Sequence, residues 1–126
     1  MDREILFRGK DIYGKWLYGD LINLTNELKQ ICNHTQLEHA HSVDIKTIGQ
    51  YTGLTDKNGT KIFEGDIVNF RTGYYQFKNL IISFDEQTAR FVCKNKKCGK
   101  MPLDSKWSYE VIGNIHDNSD LLEVSE

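Results

Sequence analysis

The sequence predicts a mainly β fold, one small domain over residues 1–126 whose short strands roll into a barrel-like sheet with one or two short helices. Three observations carry the prediction. Groups of β-branched and aromatic residues recur about every ten residues with Gly, Asn, Asp or Thr between them, as short strands joined by tight turns do. Asn58-Gly59 sits between two such groups, and this dipeptide accepts the positive φ angles of a tight hairpin turn. Nothing between the groups has the length of a crossover helix, which a parallel α/β sheet requires.

From the amino terminus, Ile5-Leu6-Phe7, Ile12 to Tyr18 and Leu21-Ile22 are apolar groups punctuated by Gly9, Gly14 and Gly19. The glycine spacing is too close for helices and suits a hairpin or meander. Residues 23–46 are polar, with Leu24, Leu28 and Ile31 at helical spacing and Thr25 or Asn26 able to cap; this segment reads as one short helical turn followed by a variable loop. Ile48 to Leu54 and Lys61 to Val68 flank the Asn58-Gly59 turn as a hairpin. Tyr74 to Phe77, Leu80 to Phe84 and Ala89 to Cys93 are further strands, with Asp85 to Thr88 as a turn. Tyr109 to Ile115 is the last strand, and Asp117 to Asp120 precede a final turn at Leu121-Leu122. Gly49, Gly53, Asn58, Gly59, Gly65, Asp66 and Gly113 are read as structural turn positions, where glycine permits bends around a small closed sheet. The expected core is Trp16, Tyr18, Ile48, Leu54, Ile62, Phe63, Ile67, Val68, Ile82, Phe84, Phe91, Val111, Ile112 and Ile115.

Composition narrows the class. With 39% hydrophobic and 27% charged residues, 11% aromatics, one proline and a net charge of -2, the chain lies far from disordered compositions. No run of 18 apolar residues is present, and Met1-Asp2-Arg3-Glu4 lacks the basic-then-apolar start of a secretory signal. A cytoplasmic location is expected, with no membrane partner. Cys32, Cys93 and Cys98 are an odd number, so reduced thiols are expected rather than a disulfide framework.

Three constellations could carry chemistry. Cys93 and Cys98 with two of His34, His39 and His41 offer the thiolate and imidazole donors of a tetrahedral metal site. The spacing departs from the usual paired short intervals, and exposed loop histidines beside a cysteine-bearing hairpin are the simpler reading; no cofactor is expected. Between Arg71 and Lys100 lie seven basic residues against two acids, a net of +5, interleaved with aromatics. Arg71, Arg90, Lys94, Lys96 and Lys97 could displace counterions from phosphates while Tyr74 and Tyr75 stack on bases. Residues 104–126 carry six acids against Lys106, a net of -5, which could neutralise the basic stretch or pair with it on a second copy. Asp20 with Asp66, Glu64 with Asp66, or His116 could act as acid and base. No phosphate-cradling glycine loop and no nucleophile motif accompanies them, so Asp20 and Asp66 are read as acceptors of backbone hydrogen bonds at strand entries.

Four ordered motifs add a resemblance: Arg3 to Lys10 (REILFRGK), Thr47 to Gly59 (TIGQYTGLTDKNG), Ile62 to Val68 (IFEGDIV) and Glu110 to Ile115 (EVIGNI). Together they resemble the YopX family of phage and prophage proteins, from the amino terminus to about residue 122. The resemblance implies a small β-rich, self-associating protein of temperate phage or prophage, and it supplies no enzymatic activity and no catalytic residues. Residues 23–46 and the Cys93–Cys98 loop fall outside the motifs. The sequence therefore points to a non-enzymatic phage accessory protein, a homo-oligomeric interaction module with an unknown phage or host protein as partner. The alternative is a nucleic-acid-binding β-barrel using residues 71–100.

Overall fold

A computed structural model describes residues 4–33 and 36–123. The described residues form strands in two antiparallel sheets, one 3-10 turn and one short α-helix, and they divide at Gly53/Leu54 into two compact units. The strand-rich class agrees with the sequence; no closed barrel is found among the described residues.

In the first unit, β1 (Phe7–Lys10), β2 (Trp16–Asn23), β3 (Lys29–Asn33), β4 (Gln36–Val43) and β5 (Gly49–Thr55) lie in the order β4-β3-β2-β1-β5. The β1–β2 turn is built by Asp11. Its N–H donates to the Lys15 carbonyl at 3.0 Å, Gly14 N–H donates to its carbonyl at 3.1 Å, and its Oδ1 accepts from Tyr13 and Lys15 N–H, each at 2.9 Å. Gly14 closes the turn at φ +78, a left-handed conformation in which glycine carries no Cβ penalty. Residues 23–46 correct the sequence reading: they form β3, β4 and a 3-10 turn at Ile45–Thr47, not a helical turn and loop. The helical spacing of Leu24, Leu28 and Ile31 is incidental. Leu24 and Leu28 are exposed at a turn, where the Leu24 N–H donates to the Leu28 carbonyl, while Ile31 is buried on β3. Two partner strands decide the outcome, and a local pattern does not contain them. Gly19 is the one β2 residue that no side chain could replace. A Cβ there would lie 2.0 Å from the Cys32 carbonyl oxygen, so β3 can pair here only against glycine.

β5 carries the chain into the second unit, where β6 (Lys61–Phe63) is its sheet neighbour. The second sheet is formed by β7 (Asp66–Thr72), β8 (Tyr75–Asp85), β9 (Arg90–Asn95), β10 (Gly99–Pro102) and β11 (Ser108–Asn114), in the order β10-β9-β8-β7-β11, followed by α1 (Asp120–Glu123). The predicted hairpin at Asn58-Gly59 is present with a different turn. Only Gly59 has positive φ, at +84. Asp56 supplies the geometry instead: its Oδ1 accepts from Asn58 and Thr60 N–H at 2.8 and 2.9 Å, and its Oδ2 from Val111 N–H on β11 at 3.0 Å.

The core of this unit is Ile62, Val68, Phe70, Leu80, Ile82, Cys93 and Tyr109, with Trp107, Phe77 and Leu103 packed against it. Phe70 is its centre, stacked on Phe77 with centroids 4.8 Å apart and tilted against Tyr109 at 5.1 Å, arrangements that add to area burial. Each fully buried aliphatic side chain contributes about 1.5–3 kcal/mol. Ile62, Phe63, Ile67, Val68 and Ile82 are buried as expected, but Tyr18 and Phe84 are 52% and 45% exposed, and Phe70, Leu80, Val92, Cys93 and Tyr109 were not expected in the core. Two bulges explain part of the difference. The β7–β8 register shifts between Val68 and Phe70, and the β11–β7 register between Val111 and Gly113; an extra residue reverses which face every later side chain occupies.

Of the predicted turn glycines, Gly59 and Gly65 lie in turns at φ +84 and +90, Gly65 just before Asp66, the first residue of β7, while Gly53, at φ +92, is corrected to a position within β5. Gly49 and Gly113 are corrected: both lie within strands, Gly49 opposite Arg8 and Gly113 opposite Ile67. Gly113 serves a close approach, since a Cβ would meet Asn118 Oδ1 at 2.6 Å.

Candidate binding surface

The antiparallel order of the second sheet sorts its charges by end. β7 leaves Asp66 and arrives at Thr72, β8 returns from Tyr75 to Asp85, and β9 runs back from Arg90 to Asn95. One end therefore carries the β7–β8 turn, the β9–β10 turn and the start of β11, where Ser108 lies opposite Arg71. The other end carries the β8–β9 turn, the start of β7 and the end of β11. Asn95 Nδ2 at the end of β9 donates to the Lys78 carbonyl within β8 at 3.0 Å, so the β9–β10 turn lies level with Lys78 and the β7–β8 turn extends beyond it.

That first end is basic and aromatic. Thr72 pairs with Tyr75 across a two-residue turn, with Gly73 at φ +54, and the ring of Tyr74 is fully exposed at 103% while that of Tyr75 is 70% exposed. Arg71 is exposed one rung inside the turn, opposite Gln76, and Lys96 and Lys97 are exposed in the β9–β10 turn. None of Arg71, Lys78, Lys96 and Lys97 is in an ion pair among the described residues. Two acids of this unit have cations of their own: Glu110 is 3.7 Å from Lys57, and Asp104 3.8 Å from Lys106.

Lys78 is a site residue that sequence reasoning left out. Strict alternation would turn Lys78 inward with Leu80 and Ile82, and Phe77 outward. Asn79 instead adopts φ +56, its N–H donates to Asn69 Oδ1 at 2.9 Å, and its Nδ2 donates to the Leu121 carbonyl at 3.0 Å. The bulge buries Phe77 against Phe70 and exposes Lys78. The signal was an Asn between a Lys and a strand-forming run, because Asn tolerates positive φ better than other non-glycine residues.

Arg90 is corrected: it lies at the opposite end of the sheet, paired with Asp85. That end is acidic, with Glu64, Asp85, Glu86 and Asp117. The Thr88 hydroxyl and the Lys100 ammonium, 3.2 Å from its Oδ1, hold the Asp85 carboxyl below its ordinary range despite the opposing effect of burial. Lys94 is exposed as the last residue but one of β9, opposite Ile81 and just before the β9–β10 turn.

The other predicted constellations are not brought together. Cys93 is buried on β9 and donates weakly to the Met101 carbonyl at 3.7 Å, and burial pushes its thiol up to about 11, so it is protonated at neutral pH. Cys98 lies in the turn before β10, His39 and His41 are on β4 of the first unit, and His34 is outside the described residues. No three His, Cys, Asp or Glu side chains cluster among the described residues. Asp66 accepts from Phe63 N–H at 2.8 Å, the strand-entry role expected of it. Asp20 is corrected, since it lies within β2 opposite Cys32. The first unit presents a second exposed hairpin tip, Ile12 and Tyr13 at 83% and 86% exposure, and an open hollow lined by Glu4, Ile5, Leu6, Tyr18, Gly19, Asp20 and Asn33. The sequence reading placed Ile12 and Tyr13 in an apolar group; Gly14, at φ +78, was the signal that could have placed them in a turn. Among the described residues no helix is long and apolar enough to cross a membrane.

The profile of the family described as YopX protein matches residues 6–123, nearly the whole chain. The chain belongs to the YopX family. A crystal structure of protein EF1440 from Enterococcus faecalis is similar over 96% of this chain and 99% of that one, at 23% sequence identity and a TM-score of 0.56, a likeness of fold. No curated protein matches the chain. The YopX match extends from β1 to the last residue of α1, so the hairpin tip of the second unit lies inside the family region.

Proposed function

We propose that this YopX-family chain is a non-enzymatic accessory protein of temperate phage or prophage, and that it works as an interaction module through the Tyr74–Tyr75 end of its second unit. The observation that supports this reading is the pair of exposed rings on a tight turn beside Arg71, Lys78, Lys96 and Lys97. Exposed aromatic rings and arginine are enriched at interaction surfaces, and both rings sit on a hydrogen-bonded hairpin that keeps them presented. The two aspartates buried among the described residues serve the backbone: Asp56 accepts from three N–H donors and Asp66 from the Phe63 N–H.

Site-directed photo-crosslinking in the bacterial host tests the reading. A photoreactive residue at position 74 is expected to form one discrete adduct with a cellular or phage macromolecule, and the same residue at position 90, at the acidic end, none. Adducts at both positions or at neither would refute it, as would substrate turnover by the purified protein that Asp66→Asn abolishes.

The separation of basic and acidic ends favours a second reading, self-association. The basic end of one second unit would meet the Glu64, Asp85, Glu86 and Asp117 end of a neighbour. Sedimentation at about 50 and 500 mM salt distinguishes it, because such contacts are screened within a few ångströms near the upper concentration.

A further inference from the structure

We propose that the ligand of the tyrosine-bearing end is a short stretch of single-stranded nucleic acid. This rests on the reading above that this end is the working surface, and it names the occupant. The cations fit phosphates: Arg71 on β7, Lys78 on β8, and Lys96 and Lys97 in the β9–β10 turn lie exposed toward one end of one sheet, and none is in an ion pair among the described residues. The rings fit bases. Tyr74 and Tyr75 are exposed on a two-residue turn that overhangs the end of β9, since Asn95 reaches back only to the Lys78 carbonyl. Three residues of extended chain separate Lys78 from Tyr75, about 10 Å at the rise of a strand, roughly one to two nucleotides of extended single strand. Bases stacked on such rings and phosphates on such lysines form the usual single-strand platform. A duplex hides the faces of its bases, so the tyrosines would contribute little to binding one, although a two-stranded ribbon can enter a major groove through its edges.

The site is small, and its dimensions set the size of the effect. Four phosphate contacts give a salt slope of about -3 for a single strand, so affinity falls about fiftyfold between 50 and 200 mM salt. Each stacked ring is worth about tenfold in affinity.

The experiment is fluorescence anisotropy of labelled twelve-nucleotide thymidine and uridine oligomers, and of a duplex of the same length, with the full chain at these two salt concentrations. Four proteins are compared: the wild type, Tyr74→Ala with Tyr75→Ala, Lys96→Glu with Lys97→Glu, and Arg90→Glu. The expected result is tighter binding of single strands than of duplex. The tyrosine variant weakens binding at least tenfold with an unchanged salt slope, the lysine variant flattens the slope by at least one, and Arg90→Glu binds as the wild type. All the changed side chains are exposed, and far-ultraviolet circular dichroism confirms retained folding. No single-strand binding at 50 mM salt, equal or tighter duplex binding, or equal loss with Arg90→Glu overturns the proposal. So does tyrosine-dependent binding to vesicles containing one quarter phosphatidylglycerol without oligomer binding, which would make the end a membrane contact. A protein adduct at position 74 in the crosslinking experiment would retain the module and refute only the nucleic-acid occupant; no adduct would refute the module itself.

Discussion

The two units use the same turn and anchor it differently. Asp11-Ile12-Tyr13-Gly14-Lys15 and Asp56-Lys57-Asn58-Gly59-Thr60 are built alike: the aspartate N–H donates to the carbonyl four residues on, the glycine N–H donates back to the aspartate carbonyl, and one carboxylate oxygen accepts two further N–H groups. The surroundings differ. The Asp11 turn stands in solvent with Ile12 and Tyr13 at its tip. Asp56 is 7% exposed, its second oxygen reaches Val111 N–H on β11 at 3.0 Å, and Lys57 N–H donates to the Tyr109 carbonyl at 2.8 Å. A local sequence device thus fixes a turn in both places, but only tertiary contact makes it a joint between strands. The fifty-five residues separating Asp56 from Val111 are bridged by one carboxylate.

The comparison predicts unequal costs. Asp56→Ala should destabilise the protein most, by about 2–3 kcal/mol, because it takes the charged acceptor from the half-buried Val111 N–H and dismantles the turn. Urea unfolding followed by Trp107 fluorescence would measure it, and a loss under about 1 kcal/mol would erase the distinction between the turns. Acid should act through the same carboxylate. Burial raises its pKa, but the N–H groups of Val111, Thr60 and Asn58, with the Lys57 charge, outweigh burial and hold it below the ordinary 3.8. A depressed folded-state pKa gives stability that is present above the unfolded value and lost as pH falls through the folded one. Below about pH 5 the wild type should therefore lose stability progressively, and Asp56→Asn should start lower and fall less steeply; parallel curves would contradict this assignment.

Asp11→Ala comes next, at about 0.5–1 kcal/mol, since its donors remain accessible to water. Hydrogen exchange at Tyr13 and Lys15 should accelerate while Val43 and Tyr51 amides keep their protection. Smallest are the tips themselves: Tyr13→Ser and Tyr74→Ser should change stability by less than about 0.5 kcal/mol, measured by the same urea titration. A larger loss at Tyr74 would mean that its ring packs somewhere, contrary to its full exposure.

Much of the fold was legible, for physical reasons particular to each element. Ile62, Phe63, Ile67 and Val68 could be placed in the core because a strong turn signal fixes the strands on both sides of it. β3 and β4 could not, because their pairing depends on Gly19 making room for Cys32, and nothing in residues 23–46 encodes that approach. Phe84 and Tyr18 have core-forming side chains at positions whose facing is decided by register. At the candidate surface, Arg71, Tyr74, Tyr75, Lys96 and Lys97 were legible from charge and aromatic interleaving. Arg90 was misplaced because charge in a linear stretch does not reveal which end of an antiparallel sheet receives it, and Lys78 was missed because a bulge reversed its parity.

That bulge makes β8 a strand read in two frames. On one side of Asn79 the core takes Leu80 and Ile82, and on the other it takes Phe77 while Gln76 and Lys78 stay exposed, with Asn79 as the frameshift between them. Deleting Asn79 would remove the extra residue and merge the two frames, leaving Phe77 inward and Lys78 outward, whereas a β-branched residue at 79 that flattened the bulge would turn Lys78 inward and Phe77 outward. Substitutions on the tip side, by contrast, leave the Leu80 and Ile82 frame untouched. The outer hairpin is thus a cassette, whose chemistry can be rewritten while the sheet that carries it stays the same.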